Sequence, residues 1–350
     1  MYKNKKVSDL IAEFLKKKKI KHIFGIIGSA NSHIFDSINK LKYTEIVCMH
    51  HEQALTMAMQ TYYRVTKKMG VALVTAGGAS ANAITGVISA WADSIPGIVI
   101  SGQENSKYVK KYKKNNLRMW GVQGFDSCKM VKDVTKYSNR LTNPNKILYE
   151  LDYCFHESLN HRPGPVWLDI PIDIQGKKII KKNLNRFYPR KIKNIQNKGL
   201  EIKINRLIKK SKRPVFWFGN GIKIANCKNL LKRMLNKLNF PFFQSWAAID
   251  IIESNHRLNF GRPGVYGNRA SNLILQNSDL IIAIGTRLSI PMMGYVEEEF
   301  ARNAKVIYVD IDKTEFSKFK NKKKFISYNY GAEKFLNLII KKFKNEKILN

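Results

Sequence analysis

Glu52 is the residue whose type and setting most readily suggest chemistry. It lies in Val47-Cys48-Met49-His50-His51-Glu52-Gln53-Ala54, where a strand-like pattern turns into a helical one. The helix dipole favours a carboxylate in a first turn, and that alone accounts for a Glu there. The position is also the carboxyl end of a strand, where open α/β sheets bind ligands. Ala54 and Ala58 leave room beside it for a flat ring. His51 fits a structural and a tautomer-fixing role equally well. A second stretch, Val74-Thr75-Ala76-Gly77-Gly78-Ala79-Ser80-Ala81-Asn82, reads as a strand, a small-residue loop and a helix start. Its glycines let backbone N–H groups come close to a ligand. It is not GxGxxG, so it carries no dinucleotide fingerprint, and a plain tight β-α turn explains it as well. Ile281 to Leu288 is a buried strand ending in Gly285 and Arg287; such an Arg can meet a phosphate, though a solvated or ion-paired Arg is commoner.

These residues need elements to hold them. Helical spacing covers Val7–Lys19, Ser32–Leu41, His51–Thr66, Ala79–Trp91 and Tyr149–Asn160. Strand patterns fall between them at His22–Ile27, Glu45–Met49, Gly70–Thr75, Gly97–Ser101 and Pro165–Ile170. The second half repeats the style. Helices are predicted at Leu200–Lys210, Lys228–Leu238, Ala270–Gln276 and Glu333–Phe343, and strands at Pro214–Gly219, Phe240–Gln244, Leu280–Ile284 and Lys305–Asp310. Apolar strands alternating with helices predict α/β architecture: two doubly wound parallel-sheet domains, each sheet covered on both faces. The expected division is 1–176, a basic linker at 177–198, and 199–345.

Composition narrows the function classes. The 350 residues suggest two or three domains at roughly 100–200 residues each. Apolar residues at 44% and charged residues at 25% exclude disorder, collagen and coiled coil as the main theme. The formal net charge is +36, and 48 of the 62 basic residues are Lys. They are spread along the chain, with denser runs at 107–118 and 177–213 and no nucleic-acid recognition motif, so the expectation is solvated faces and no nucleic-acid partner. Cys48, Cys128, Cys154 and Cys227 form no CxxC pair and read as reduced thiols of a cytoplasmic protein. No apolar run approaches the ~18 residues of a membrane span.

In collinear order, several segments resemble the thiamine diphosphate-dependent acetolactate synthase and 2-keto acid decarboxylase superfamily. They are Gly25-Ile26-Ile27-Gly28, His51-Glu52-Gln53-Ala54, Gly77-Gly78-Ala79-Ser80-Ala81-Asn82, Asp93-Ser94-Ile95-Pro96 and Gly102-Gln103. Val122-Gln123, Thr135-Lys136-Tyr137-Ser138, Arg162-Pro163-Gly164-Pro165, Tyr266-Gly267, Asn272, the run from Ser278 to Arg287 and Val309-Asp310-Ile311-Asp312 continue the series. The resemblance covers nearly the whole chain. It implies an N-terminal pyrimidine-binding domain followed by a central domain. It makes Glu52 the catalytic carboxyl, sharing a proton with N1′ of the cofactor's aminopyrimidine so that the thiazolium can be activated towards a 2-keto acid. It puts Gly28, Glu52 and Asn82 against the cofactor, and Ser29, Val122 and Gln123 in the substrate pocket.

The departures carry expectations too. The family's third domain holds magnesium and the diphosphate through Gly-Asp-Gly and a later Asn, and no Gly-Asp-Gly occurs here. The resemblance therefore implies no metal ligand in this chain, a fragment or half of a split enzyme inactive alone, and a partner chain carrying that domain. A homo-oligomer, with subunits paired across the catalytic centre, follows from the same family. Arg287-Leu288-Ser289-Ile290-Pro291 is more similar to the flavin-free members than to those binding FAD. A non-catalytic binding or regulatory subunit of the same fold is the alternative. A nucleotide-binding oxidoreductase is disfavoured because Gly219-Asn220-Gly221 lacks a third glycine at the right spacing.

Overall fold

The computed structural model describes residues 5–179, 184–189 and 198–343. The chain divides into two compact units, 1–192 and 193–350. The first holds six strands: β1 (His22–Gly25), β2 (Glu45–Cys48), β3 (Val71–Val74), β4 (Gly97–Gln103), β5 (Tyr137–Arg140) and β6 (Pro165–Pro171). Their order is β2-β1-β3-β4-β6-β5, and every neighbouring pair is parallel. The second unit holds β7 (Pro214–Phe218), β8 (Phe242–Gln244), β9 (Leu280–Ile284), β10 (Lys305–Asp310) and β11 (Phe325–Asn329). These run β11-β10-β9-β7-β8, again all parallel. The α/β reading of two parallel-sheet domains is thus met.

Strands β3, β4 and β6 are buried along their whole length, which explains their unbroken apolar runs. In the first unit Val71 and Leu73 join a core shared with the helices Val7–Lys17, Ser32–Leu41 and Ile147–Leu159. Ala72 and Val74 point the other way, to Leu55 and Met59 of helix Glu52–Thr66 and Val87 of helix Ile84–Ala92. A Cβ on Gly86 would stand 2.1 Å from Thr56 Oγ1, so these two helices touch at backbone distance. Thr56 Oγ1 also donates to Ala83 O at 3.0 Å. The predicted single helix over 79–91 is in fact interrupted there, as Gly78–Asn82 and Ile84–Ala92. Residues 177–179 lie against the N-terminal strand-like segment, with Val7 N donating to Lys177 O and Ile179 N to Lys5 O. Much of the expected 177–198 linker lies outside the described residues.

Strand β1 sits between β2 and β3, so the loops after β1 and β3 diverge and leave a crevice at the carboxyl end of the sheet. Several sequence marks serve the opposite end. Arg162 Nε donates to Ser94 Oγ at 2.8 Å, joining the turns that enter β4 and β6. Lys136 donates to the carbonyls of Glu157 and Asn160, at the end of helix Ile147–Leu159.

Asp169, within β6, is fully buried. Burial pushes its carboxyl up, while Arg140 and Gln103 counter that. Arg140 Nε donates to Asp169 Oδ2 at 2.6 Å and Gln103 Nε2 donates to the same oxygen at 3.0 Å. Removing one member leaves a buried charge uncompensated, which costs about 3–5 kcal/mol. Arg140→Ala should lower the urea-unfolding free energy of the chain by that amount. A loss below about 1 kcal/mol would show that water or rearrangement replaces the pair.

Candidate active site

The crevice at the carboxyl end of β1 and β3 gathers residues from four separate segments. Helix Glu52–Thr66 begins with Glu52, whose side chain is half-buried. His51 caps that helix: its Nδ1 accepts from Gln53 N at 3.2 Å. Asn82 closes the short helix after β3 and its Nδ2 donates to Glu52 Oε2 at 3.1 Å. The two residues singled out from separate motifs are therefore bonded partners, and Asn82 orients one carboxylate oxygen.

The turn between β3 and Asn82 makes the remaining contacts. Gly28 lies so near Thr75 that an added Cβ would come within 2.6 Å of Thr75 Oγ1. Gly28 N donates to Asn31 Oδ1 at 2.9 Å, and Asn31 Nδ2 donates back to Ile26 O at 3.0 Å, so the buried Asn31 shapes this loop. Thr75 Oγ1 accepts from Ala30 N at 3.3 Å. Gly77 adopts φ +75, ψ −134, and a Cβ there would meet Gln123 Oε1 at 2.2 Å. Gln123 thus lies over the Gly77 backbone. Beside it, Gly78 faces open space, with nothing within 4 Å of an added Cβ. Ser29 is exposed, and Val122 is 79% exposed. The structure places these two next to Gly28 and Gln123 in sequence without bringing their side chains to Glu52.

Chemically, the arrangement is an oriented carboxylate beside a floor of Gly and Ala. Such a floor admits a flat heteroaromatic ring, and the carboxylate can accept or share a proton at its edge. Thr75 and Gly77, within the stretch that the sequence marks as a strand and small-residue turn, make contacts that span distant sequence. Among the described residues no group of three or more His, Cys, Asp or Glu could hold a metal ion. No described helix is long and apolar enough to cross a membrane.

Gly77→Ala should report on this packing. Its backbone region is one that side chains rarely adopt, at a cost of about 1–3 kcal/mol, and Gln123 must also move. Denaturant unfolding should show that loss. A change within about 0.5 kcal/mol would mean that the turn relaxes freely.

Comparison with known proteins follows the same lines. Residues 5–130 match the model of the thiamine pyrophosphate enzyme N-terminal TPP binding domain, and residues 202–334 match that of the central domain. The acetolactate synthase large subunit of Buchnera aphidicola subsp. Schizaphis graminum is 32% identical over 321 residues, covering 89% of this chain and 54% of that protein. The large subunit of Haemophilus influenzae is 31% identical (89% and 53% covered), and that of isozyme 3 of Escherichia coli K12 is 30% identical (89% and 53%). The chain spans about half the length of the curated relatives it matches. By both domain matches, which together cover most of the chain, this chain belongs to the thiamine pyrophosphate enzyme family.

Proposed function

We propose that this chain supplies the pyrimidine-binding side of the catalytic centre in an acetolactate synthase-like enzyme acting on a small 2-keto acid. One observation carries the reading: the Glu52–Asn82 hydrogen bond beside the small-residue turn at the carboxyl end of the sheet. The residues fit the group. Thiamine diphosphate, when bound, would supply a carbon nucleophile for the ketone and a sink for the electrons left by decarboxylation. Glu52 holds a proton shared with the pyrimidine ring nitrogen, Asn82 keeps the carboxylate turned to it, the Gly28 loop packs on Thr75 beside the cofactor, and Gly78 leaves open space next to the turn. Ser29, Val122 and Gln123 line the substrate side.

Within this reading, 1–176 is the pyrimidine-binding domain, 177–198 the linker and 199–345 the central domain. Magnesium and the diphosphate fall to a domain other than these two. FAD is left out, since Arg287-Leu288-Ser289-Ile290-Pro291 lacks the flavin-type continuation. A second copy of the chain is the expected partner: Met57, Ile88 and Trp91, on the two helices flanking the crevice, are 39%, 48% and 40% exposed. Cys48, Cys128, Cys154 and Cys227, with no CxxC pair among them, accord with the reducing cytoplasm.

The test is Glu52→Gln in the protein that contains this chain, assayed with thiamine diphosphate, magnesium and pyruvate. Gln keeps the shape and the bond to Asn82 but cannot share an acidic proton. Turnover should fall by ~100-fold or more, as for other acid–base residues. Turnover near wild type would remove Glu52 from the mechanism and favour a non-catalytic role for the chain.

A further inference from the structure

Between β4 and Ser127 the chain leaves the sheet, makes helix Ser106–Lys114 and returns through 118–124. The helix is pinned where it starts: Ser106 N and Oγ donate to Asp173 at 2.8 and 2.6 Å. The far end of the loop is pinned by the buried network, as Gln103 Nε2 donates to Phe125 O at 3.0 Å and Arg140 to Asp126 Oδ1 at 3.1 Å. Between these anchors residues 117–123 are exposed, yet Gln123 lies in a defined place over Gly77.

Glu104, the first residue after β4, explains that placement. Its Oε1 accepts from Val122 N at 3.1 Å and from Gln123 N at 2.9 Å. Gly121 turns at φ +93, and an added Cβ there would lie 3.0 Å from Glu104 Cδ. At Gly124 the added Cβ would lie 2.9 Å from Glu104 Cγ. The returning loop is therefore wrapped around one carboxylate, with two amides aimed at one of its oxygens and glycines on either side. Hydrogen bonds to an ionised acceptor are about twice as strong as neutral ones, which suits a single group holding an exposed loop.

We infer that Glu104 is a positioning residue: its carboxylate fixes the backbone of Val122 and Gln123, and so keeps the Gln123 amide over the Gly77 turn beside Asn82. The geometry stands by itself; its meaning for substrate binding rests on the function proposed above. The separation in sequence between Glu104 and its two amides hides the interaction from any short motif.

The experiment is amide hydrogen exchange in the full chain, comparing wild type with Glu104→Gln, Glu104→Ala and Gly121→Ala. Loss of a hydrogen bond to a charged group should speed exchange at Val122 and Gln123 by roughly 10-fold or more in Glu104→Ala. Gly121→Ala should release the same amides, because an alanine resists φ +93. Glu104→Gln, which keeps an acceptor oxygen, should stay nearer wild type. Amides of β4 and β6 should hold their protection, separating loop release from unfolding. Equal exchange in Glu104→Ala and wild type overturns the inference, as does a Glu104→Gln chain indistinguishable from Glu104→Ala. In the active protein, Glu104→Ala should raise KM for the 2-keto acid more than it lowers kcat, and should add nothing to Gln123→Ala. Fully additive effects would overturn the link to Gln123. Normal turnover in Glu52→Gln alongside released amides in Glu104→Ala would sink the proposed function and leave the role of Glu104 standing.

Discussion

The candidate site depends on side chains packing directly onto bare glycine backbone. Gly28 meets Thr75, and Gly77 passes under Gln123, at distances that no Cβ would allow. Those two approaches bring the loop after β1 and the 121–124 loop onto one turn. Asn82, at the end of that same turn, reaches Glu52. The parallel sheet makes this convergence natural, because each strand delivers its following loop to the same end. The register supports it: Phe24 lies beside Ala72, Val74 beside Ser101, and Ser101 beside Asp169. A catalytic carboxylate needs such a frame, since its value lies in being held rather than in being present.

Carboxylates are scarce here, 26 against 62 basic residues, and those in the cores organise structure. Asp169 sits inside the sheet and ties β5 and β6 to the 125–126 segment through Arg140 and Gln103. Glu104 holds the next two amides along. In the second unit, burial works against the charge of Asp279, yet hydrogen bonds from Ser211, Lys212 and Arg213 keep its carboxyl below the usual range. Asp152 pairs with Lys18 at 3.3 Å and Arg186 at 3.0 Å. The surplus of lysine is mostly solvated and carries little positional information; the acids carry it.

Legibility in the sequence followed from how local each cause is. Val71–Val74 and Leu280–Ile284 are apolar because both faces are covered, so composition alone marks them as strands. Helix Glu52–Thr66 and the turn before Asn82 stood out for similarly local reasons. Strands β5 and β11 did not, because each is an edge strand with polar residues and pairs on one side. Ala83, at the break, accepts from Thr56, and the backbone of Gln123 is held by Glu104; both partners lie far off along the chain. The Asp93–Pro96 and Arg162–Pro165 marks belong to the family pattern for a structural reason, since Arg162 bonds Ser94 at the end of the sheet away from Glu52.

Topology alone would offer two crevices. In the second unit β7 lies between β8 and β9, as β1 lies between β2 and β3 in the first. There the diverging loops close on each other: Gly219 N donates to Ile284 O at 3.0 Å, and Gly221 N to Gly285 O at 2.9 Å. Gly285, at φ +58, lies so near Gly221 that an added Cβ would stand 2.7 Å from its Cα. Backbone amides that could greet a ligand are thus spent on backbone. Asp310, at the end of β10, has Oδ1 engaged by Asp312 N at 2.9 Å. The first unit keeps its crevice open at Gly78 and puts an oriented carboxylate beside it. With the same strand order around β1 and β7, it is the side-chain chemistry at the carboxyl end, and not the fold, on which the proposal for Glu52 rests.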